Sequence, residues 1–157
     1  MHRKTDAELA DLYQPILREH GIEVSDELAG RAAGIMKERA TFITDLWDLT
    51  SFFFTAPTVY EEKQAKKYWK GQNPAILREL RGVLEGIGDF SMENTERTVH
   101  AWIEEKGYGM GQVMNTLRLA LVGAGKGPGM YDVTSFIGKD ECLKRIDNLL
   151  NNLKPAE

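Results

Sequence analysis

Apolar residues recur at spacings of three and four along most of the 157-residue chain, which is the period of an amphipathic α-helix. The segment AILRELRGVLEGIG is the clearest case, because its apolar residues fall on one helical face. No segment alternates apolar and polar residues for long, so no β-strand is predicted. Gly21, Gly71, Gly107 and Gly123 follow helical segments and are expected to end them. The predicted fold class is all-α, with many short helices joined at glycines.

Helix starts are marked by residues that can cap exposed backbone amides. Thr5 and Glu8 have the spacing of a capping box, and Ser25 precedes a second helical segment. Asn73 and Pro74 predict an N-cap followed by proline at the first helical position.

The segment RATFITDLWDLTSFFF is a dense apolar block that we expect to lie in the core. Thr44 is the expected cap of this helix, and Ala56-Pro57 is expected to break it. The apolar residues that we assign to the core here are Phe42, Leu46, Trp47, Leu49, Phe52, Phe53 and Phe54.

Two small helical subdomains are expected, residues 1–72 and residues 73–157. The boundary is placed in the turn between Gly71 and Asn73, and the turn between Gly88 and Ser91 is an alternative.

Composition restricts the classes of function. The net charge of −4 argues against an indiscriminate nucleic-acid binder, which would usually be basic, and no DNA partner is expected. No apolar run has the length of a membrane span, and the amino terminus lacks the apolar stretch of a signal peptide. The single cysteine, Cys142, is expected to be buried and fits a reducing compartment such as the cytoplasm. Three scattered histidines give no zinc-binding spacing.

A local cluster of positive charge nevertheless stands out within this acidic chain. It is interleaved with Tyr68 and Trp69 and indicates either a solvated helix surface or a nucleic-acid contact. Its members are Lys63, Lys66, Lys67, Lys70, Arg78 and Arg81.

The stretch ALVGAGKGPGMYD combines four glycines with a lysine and raises the question of a phosphate-binding loop. It does not fit the P-loop motif, since Ala120 and Gly127 stand where glycine and a hydroxyl residue are required. The dinucleotide motif fails as well, and the preceding segment is helical rather than a strand. No nucleotide cofactor is therefore expected in this chain.

No catalytic arrangement is recognisable. Cys142 has no histidine partner, and the pairs Glu61-Glu62 and Glu104-Glu105 point about 100° apart on a helix, so their carboxylates do not converge. Binding is the expected role, with the basic cluster and the glycine-rich stretch as candidate surfaces.

Several short fragments stand in a fixed order in the second half of the chain, namely EKG at 105–107, GQV at 111–113, LRLALVG at 117–123, PG at 128–129 and IGKD at 137–140. In these fragments the chain resembles the anticodon-binding region at the carboxyl end of bacterial glutamyl-tRNA synthetases, and the resemblance extends over about Leu12 to Leu150. Leu143, Arg145 and Ile146 follow at the spacing of that family, and MKERATFITDL is similar to its earlier arginine-containing segment. Val122 and Asp140 depart from the residues common in the family.

The resemblance implies an anticodon-binding helical bundle or superhelix that holds the anticodon stem-loop of tRNA-Glu. The signatures of the catalytic domain are absent from this chain, so it resembles a non-catalytic carboxyl-terminal fragment. In such enzymes a preceding domain of the same polypeptide uses ATP and magnesium to join glutamate to the tRNA.

The resemblance also implies the residues that contact RNA. Arg39 stands at the position of the arginine that contacts an anticodon cytosine in discriminating members of the family, and Lys37 is expected beside it. Arg118 corresponds to a second anticodon-binding arginine. The remaining implied contacts lie in the glycine-rich stretch, at Lys126, Gly127, Pro128 and Met130.

Two other functions are weighed against RNA binding. A helical adaptor for protein–protein contacts would require an exposed aromatic cluster at Phe52 to Phe54. A small-molecule enzyme would require a concave pocket with converging titratable groups.

Overall fold

The computed structural model describes residues 4–156, and within them the fold is all-α, as predicted, without a β-strand. The chain divides into two compact units, residues 1–55 and residues 56–157. The first unit contains α1 (Asp6–Glu19), α2 (Asp26–Met36), a short 3-10 helix (Lys37–Arg39) and α3 (Asp45–Phe54). The second contains α4 (Glu62–Tyr68), α5 (Asn73–Glu85), α6 (Met92–Lys106), α7 (Met110–Leu121), α8 (Met130–Ile137) and α9 (Lys139–Asn152).

The predicted caps of the first two helices are present. The hydroxyl of Thr5 accepts the amide of Glu8, and the Glu8 carboxylate accepts the amide of Thr5, which completes the capping box. The hydroxyl of Ser25 likewise accepts the amide of Leu28 at the start of α2. These caps satisfy amides that have no partner within the helix.

The core of the first unit forms between α1, α2 and α3. Tyr13 is fully buried there, and its hydroxyl donates to the carbonyl oxygen of Leu46 at 3.2 Å. Because burial disfavours the phenolate, it raises the pKa of Tyr13 to about 12. The other members of this core are Leu9, Ala10, Leu17, Ala29, Ala33, Ala40 and Leu46.

Residues 56–72 belong to the second unit, so the division lies earlier than the boundary after residue 72 suggested by the sequence. The physical reason is their hydrogen bonding to later segments. The indole of Trp69, 1% exposed, donates to the carbonyl oxygen of Leu153 at 2.8 Å, and the amide of Ala156 donates to the Trp69 carbonyl at 2.7 Å. The amide of Glu61 donates to the carbonyl oxygen of Gly123 at 2.7 Å.

Two predicted helix starts differ in detail. Asn73 is the first residue of α5 rather than its cap, because its side-chain amide donates to the Tyr68 carbonyl and its oxygen accepts from Gln112. Thr44 occupies the N-cap position of α3 but makes no capping bond. The carboxylate of Asp45, the first residue of α3, accepts amides of the preceding turn and is described below.

Gly123, directly after α7, occupies a position that requires glycine. Its φ of +81° lies in the left-handed region, which side chains with a Cβ atom rarely adopt. A Cβ atom there would also lie 2.8 Å from the Cβ of Pro57 and 3.1 Å from the carbonyl oxygen of Val59. The chain before α4 therefore packs directly against the backbone of this turn.

We expect Gly123→Ala to lower the free energy of unfolding of the second unit by about 2 kcal/mol or more, since strain and overlap add. Two matched variants separate these causes. Gly138 has a φ of +85° with open space around it, so Gly138→Ala measures the backbone strain alone. Gly82 lies in open space within α5, and Gly82→Ala should stabilise the protein by about 0.5–1 kcal/mol.

Urea denaturation, followed by the reactivity of Cys142 toward a thiol reagent, makes this measurement in the second unit. Burial raises the pKa of Cys142 to about 12, so the folded protein should react slowly. Equal stabilities for Gly123→Ala and Gly138→Ala would contradict the close packing at Gly123.

Candidate nucleic-acid interface

The connection between α7 and α8, residues 122–129, is called the glycine loop here. Arg118 lies in the last turn of α7, and its Nη1 donates to the carbonyl oxygen of Pro128 at 2.8 Å. This bond joins the end of the loop to the helix from which the loop departs. The far end of the glycine loop is therefore fixed to α7 by a hydrogen bond, in addition to the covalent connection at its start.

A buried arginine supports the same loop from α9. Arg145 is 2% exposed, its Nη1 donates to the carbonyl oxygen of Leu121 at 2.8 Å, and its Nε donates to Glu141 at 3.2 Å. Burial lowers the pKa of the Arg145 guanidinium, and the Glu141 carboxylate opposes that change. The last turn of α7 is thereby fixed where the glycine loop begins.

The glycine loop presents backbone and one cation to solvent. Lys126 is exposed, whereas Pro128 is buried and Met130 is only 4% exposed. Gly127 has a φ of +143°, a conformation that favours glycine. Pro128 and Met130, two of the predicted contact residues, are thus buried.

Helix α4 lies beside the glycine loop and carries part of the predicted basic cluster. The side chain of Gln64 packs against Gly125, where a Cβ atom would come within 2.6 Å of its amide. Lys63 and Lys67 flank Gln64 in sequence and are exposed. Two exposed lysines of α4 thus accompany Lys126 along this side of the second unit.

Two other members of the basic cluster are less available, because they form ion pairs. Lys66 pairs with Glu62 at 2.8 Å, and Arg81 pairs with Asp147 at 2.6 Å and with Glu85 at 2.8 Å. The hydrogen bonds that Arg81 donates to Asp147 and Glu85 raise the pKa of its guanidinium. The predicted cluster is therefore only partly a free cationic surface.

The other predicted cations lie in the first unit, where α2 continues into the 3-10 helix. Lys37 is half-buried, and its Nζ donates to the carbonyl oxygen of Lys4 at 3.2 Å. Arg39 is exposed at the end of the 3-10 helix. Lys37 therefore anchors this turn to the start of α1, while Arg39 faces solvent.

In the turn after Arg39, the structure differs from the sequence prediction. Phe42, assigned above to the core, is 67% exposed, so that prediction is wrong. The physical reason is Asp45, whose carboxylate accepts the amides of Thr41 and Phe42 at 3.0 and 2.9 Å. This bonding closes a tight turn that leaves the Phe42 ring outside the core.

The remaining aromatic block is in the core, as predicted. Phe52 is 9% exposed, Phe53 is 5% exposed, and Phe54 is half-buried. The adaptor hypothesis depended on an exposed cluster at these residues, and it loses its main support.

Two features are absent from the described part of the chain, residues 4–156. No group of three or more histidine, cysteine, aspartate or glutamate side chains is placed to hold a metal ion. None of the helices in this part combines the length and apolar character that crossing a membrane requires.

Several supporting residues had only weak signals in the sequence. Asp45 stands in the first turn of α3, where acidic residues are common for reasons of the helix dipole alone. Arg145 was noticed only for its family spacing, and nothing local shows that it reaches Leu121. Gln64 and Val59 carry no signal at all for contact with the glycine loop.

The sequence model of the anticodon binding domain matches residues 8–150, and the chain therefore belongs to the anticodon-binding domain family. Its curated relatives include the glutamate–tRNA ligase of Phocaeicola vulgatus, 49% identical over 152 residues, which are 97% of this chain and 30% of the relative. The glutamate–tRNA ligase of Bacteroides fragilis is 47% identical over 98% of this chain and 30% of its own length.

Solved structures agree with this assignment. The crystal structure of a glutamate tRNA ligase from Elizabethkingia meningosepticum, in complex with its amino acid, has a TM-score of 0.90 and 39% sequence identity. The match covers 96% of this chain and 30% of that chain. The glutamate-tRNA synthetase from Elizabethkingia anophelis gives a TM-score of 0.85 at 37% identity. The chain thus spans about 30% of the length of the relatives it matches.

The bracing of the glycine loop by Arg118 can be tested by limited proteolysis. Arg118→Ala removes the bond to the Pro128 carbonyl, so trypsin should cleave after Lys126 several-fold faster than in the parent protein. Mass spectrometry of the fragments measures this rate. Arg78→Ala, on the exposed face of α5, is the matched control and should leave the rate unchanged. An unchanged rate in Arg118→Ala would show that the loop does not depend on this bond.

Proposed function

We propose that this chain is the anticodon-binding part of a glutamate–tRNA ligase and that it holds the anticodon stem-loop of tRNA-Glu. The observation that carries the proposal is the match of residues 8–150 to the anticodon binding domain, together with glutamate–tRNA ligase relatives at up to 49% identity. A catalytic domain of the same polypeptide, using ATP and magnesium in the cytoplasm, would carry out glutamylation. This chain would contribute binding and no catalytic group or cofactor.

Arg39 is proposed to recognise an anticodon base. Codons for glutamate and glutamine differ only at their first base, so the two anticodons differ at their third base, cytosine in one and guanine in the other. The guanidinium can donate to O2 and N3 of cytosine, whereas guanine presents its own N–H donors on the Watson–Crick edge. An arginine at this position therefore favours tRNA-Glu over tRNA-Gln.

The second unit is proposed to contact the RNA through the glycine loop. Arg118 fixes the shape of the loop, and the exposed Gly129 at its end lets the backbone approach bases closely. Lys126, with Lys63 and Lys67 on α4, supplies cations for phosphates. These local charges explain how an acidic chain of net charge −4 can bind RNA without binding it indiscriminately.

An Arg39→Ala variant should bind a synthetic tRNA-Glu anticodon stem-loop about 5- to 150-fold more weakly, as expected for loss of about 1–3 kcal/mol of base recognition. Arg18→Ala, an exposed arginine of α1, removes the same charge and is the matched control. Filter binding at several salt concentrations measures the affinities, which should fall as salt rises because phosphate contacts release counterions.

The same assay tests specificity. Arg39→Gln should lower the ratio of the affinity for the tRNA-Glu stem-loop to the affinity for a copy with guanine at the third anticodon base. Equal losses in Arg39→Ala and Arg18→Ala would show that Arg39 contributes charge only. No binding by the parent chain at low salt would contradict the proposed function itself.

A further inference from the structure

We propose that Phe42 is a stacking platform for an unpaired anticodon base beside the base recognised by Arg39. This inference rests on the proposed function and assigns a second recognition element to the turn that follows the 3-10 helix. A stacked ring would hold a base by its face, while an arginine binds it by its edge.

The exposure of Phe42 sets it apart from the other aromatic residues. Among the phenylalanine, tyrosine and tryptophan residues of the described range 4–156, it is the one that is more than about a third exposed, at 67%. The other large apolar side chains with comparable exposure are aliphatic or contain sulfur, namely Leu12, Val59, Met92 and Met110. A phenyl ring left in water forgoes the stabilisation of burial, so its position in this turn favours a role outside the core.

The backbone amide and carbonyl of Phe42 are both fixed by hydrogen bonds. Its amide donates to the Asp45 carboxylate at 2.9 Å, and its carbonyl oxygen accepts the amide of Asp45 at 3.0 Å. Ala40, 1% exposed, anchors the preceding chain in the core. The ring is therefore carried by an ordered turn, and binding need not order that turn.

Phe42 is also close to Arg39 along the chain. Three residues span at most about 11 Å. Two side chains at that separation can contact two neighbouring nucleotides. Ala40 is buried between them, while Arg39 and Phe42 are both exposed. The turn thus offers a planar cation and an aromatic face to the same short stretch of RNA.

Unpaired bases are the occupant that fits these features best. Every base has a π-face, and base–aromatic stacking contributes about 1–3 kcal/mol per base, or about 5- to 150-fold in affinity. A second copy of this chain or another segment of the polypeptide would cover the ring without requiring a base. The experiment distinguishes these occupants.

The test combines protein variants with RNAs that each lack one base. The probes are the tRNA-Glu anticodon stem-loop and three copies with an abasic nucleotide at one anticodon position. Phe42→Ala should weaken binding to the intact stem-loop about 5- to 150-fold. Phe42→Leu should retain less affinity than the parent chain, and Phe42→Trp should bind at least as well, because the indole offers a larger stacking surface.

The abasic RNAs provide the decisive comparison. For one of the three, the parent chain and Phe42→Ala should bind equally, because the base that stacks on the ring is missing. Leu12→Ala removes another exposed apolar side chain and should bind all four RNAs like the parent chain. Thermal unfolding and sedimentation should be unchanged in Phe42→Ala, since the ring is exposed.

Three results would overturn the inference, two of them in the binding assay. One is full affinity of Phe42→Ala for the intact stem-loop, and the other is a loss that is the same on all four RNAs. A change in sedimentation or melting without a base-dependent loss would assign the ring to a protein contact instead, which also overturns it. If Arg39→Ala loses affinity while Phe42→Ala does not, only the stacking role fails and the proposed function stands.

Discussion

Gly123 is the position on which the architecture of the second unit depends. Its left-handed backbone ends α7, its carbonyl accepts the amide of Glu61, and its α-carbon lies against Pro57 and Val59. A single residue without a side chain thus joins the start of this unit to the end of α7. The glycine loop can keep a defined shape because Gly123, near its start, is fixed.

Two arginines extend this constraint to the rest of the loop. Arg145 holds the last turn of α7 from within the core, and Arg118 holds the loop end at Pro128. Both use guanidinium groups to satisfy carbonyl oxygens at a helix end and loop, where the helix itself supplies no donor. The consequence for binding is that the loop offers a preorganised backbone with Lys126 exposed, so little conformational entropy is lost when RNA binds.

In the first unit, a carboxylate fixes the backbone of an exposed turn. Asp45 accepts two amides of the turn that follows Arg39, and Lys37 ties the 3-10 helix to the start of α1. Arg39 and Phe42 are therefore presented by a short ordered segment between two helices. In both units, hydrogen bonds with neighbouring residues fix a turn and leave residues of that turn exposed.

Local patterns predicted much of the fold and less of the candidate site. The helical period, the Thr5 and Ser25 caps and the left-handed Gly107 at the end of α6 follow from short-range chemistry, and all are present. Phe42 was misassigned because it does not differ in character from the other apolar residues of its segment. The bonds of Asp45 to the turn leave the Phe42 ring outside the core, and the sequence does not reveal them. The assignment of residues 56–72 to the second unit depends on contacts with Gly123 and Leu153, which are far away in sequence.

The roles of Arg39, Arg118 and the glycine loop came from family resemblance rather than from the residues themselves. An exposed arginine at a helix end has many uses, and nothing local to Arg39 indicates RNA. The family match over residues 8–150 supports the resemblance, whereas the individual contacts stay predictions.

The central claim is that this chain binds the anticodon stem-loop through its exposed turns. Titration of the isotopically labelled chain with the synthetic tRNA-Glu stem-loop, followed by amide chemical shifts, tests this directly. The account predicts that the largest changes occur at residues 39–42 and 123–129. Shifts at only one of these segments, or mainly along α9, would contradict it.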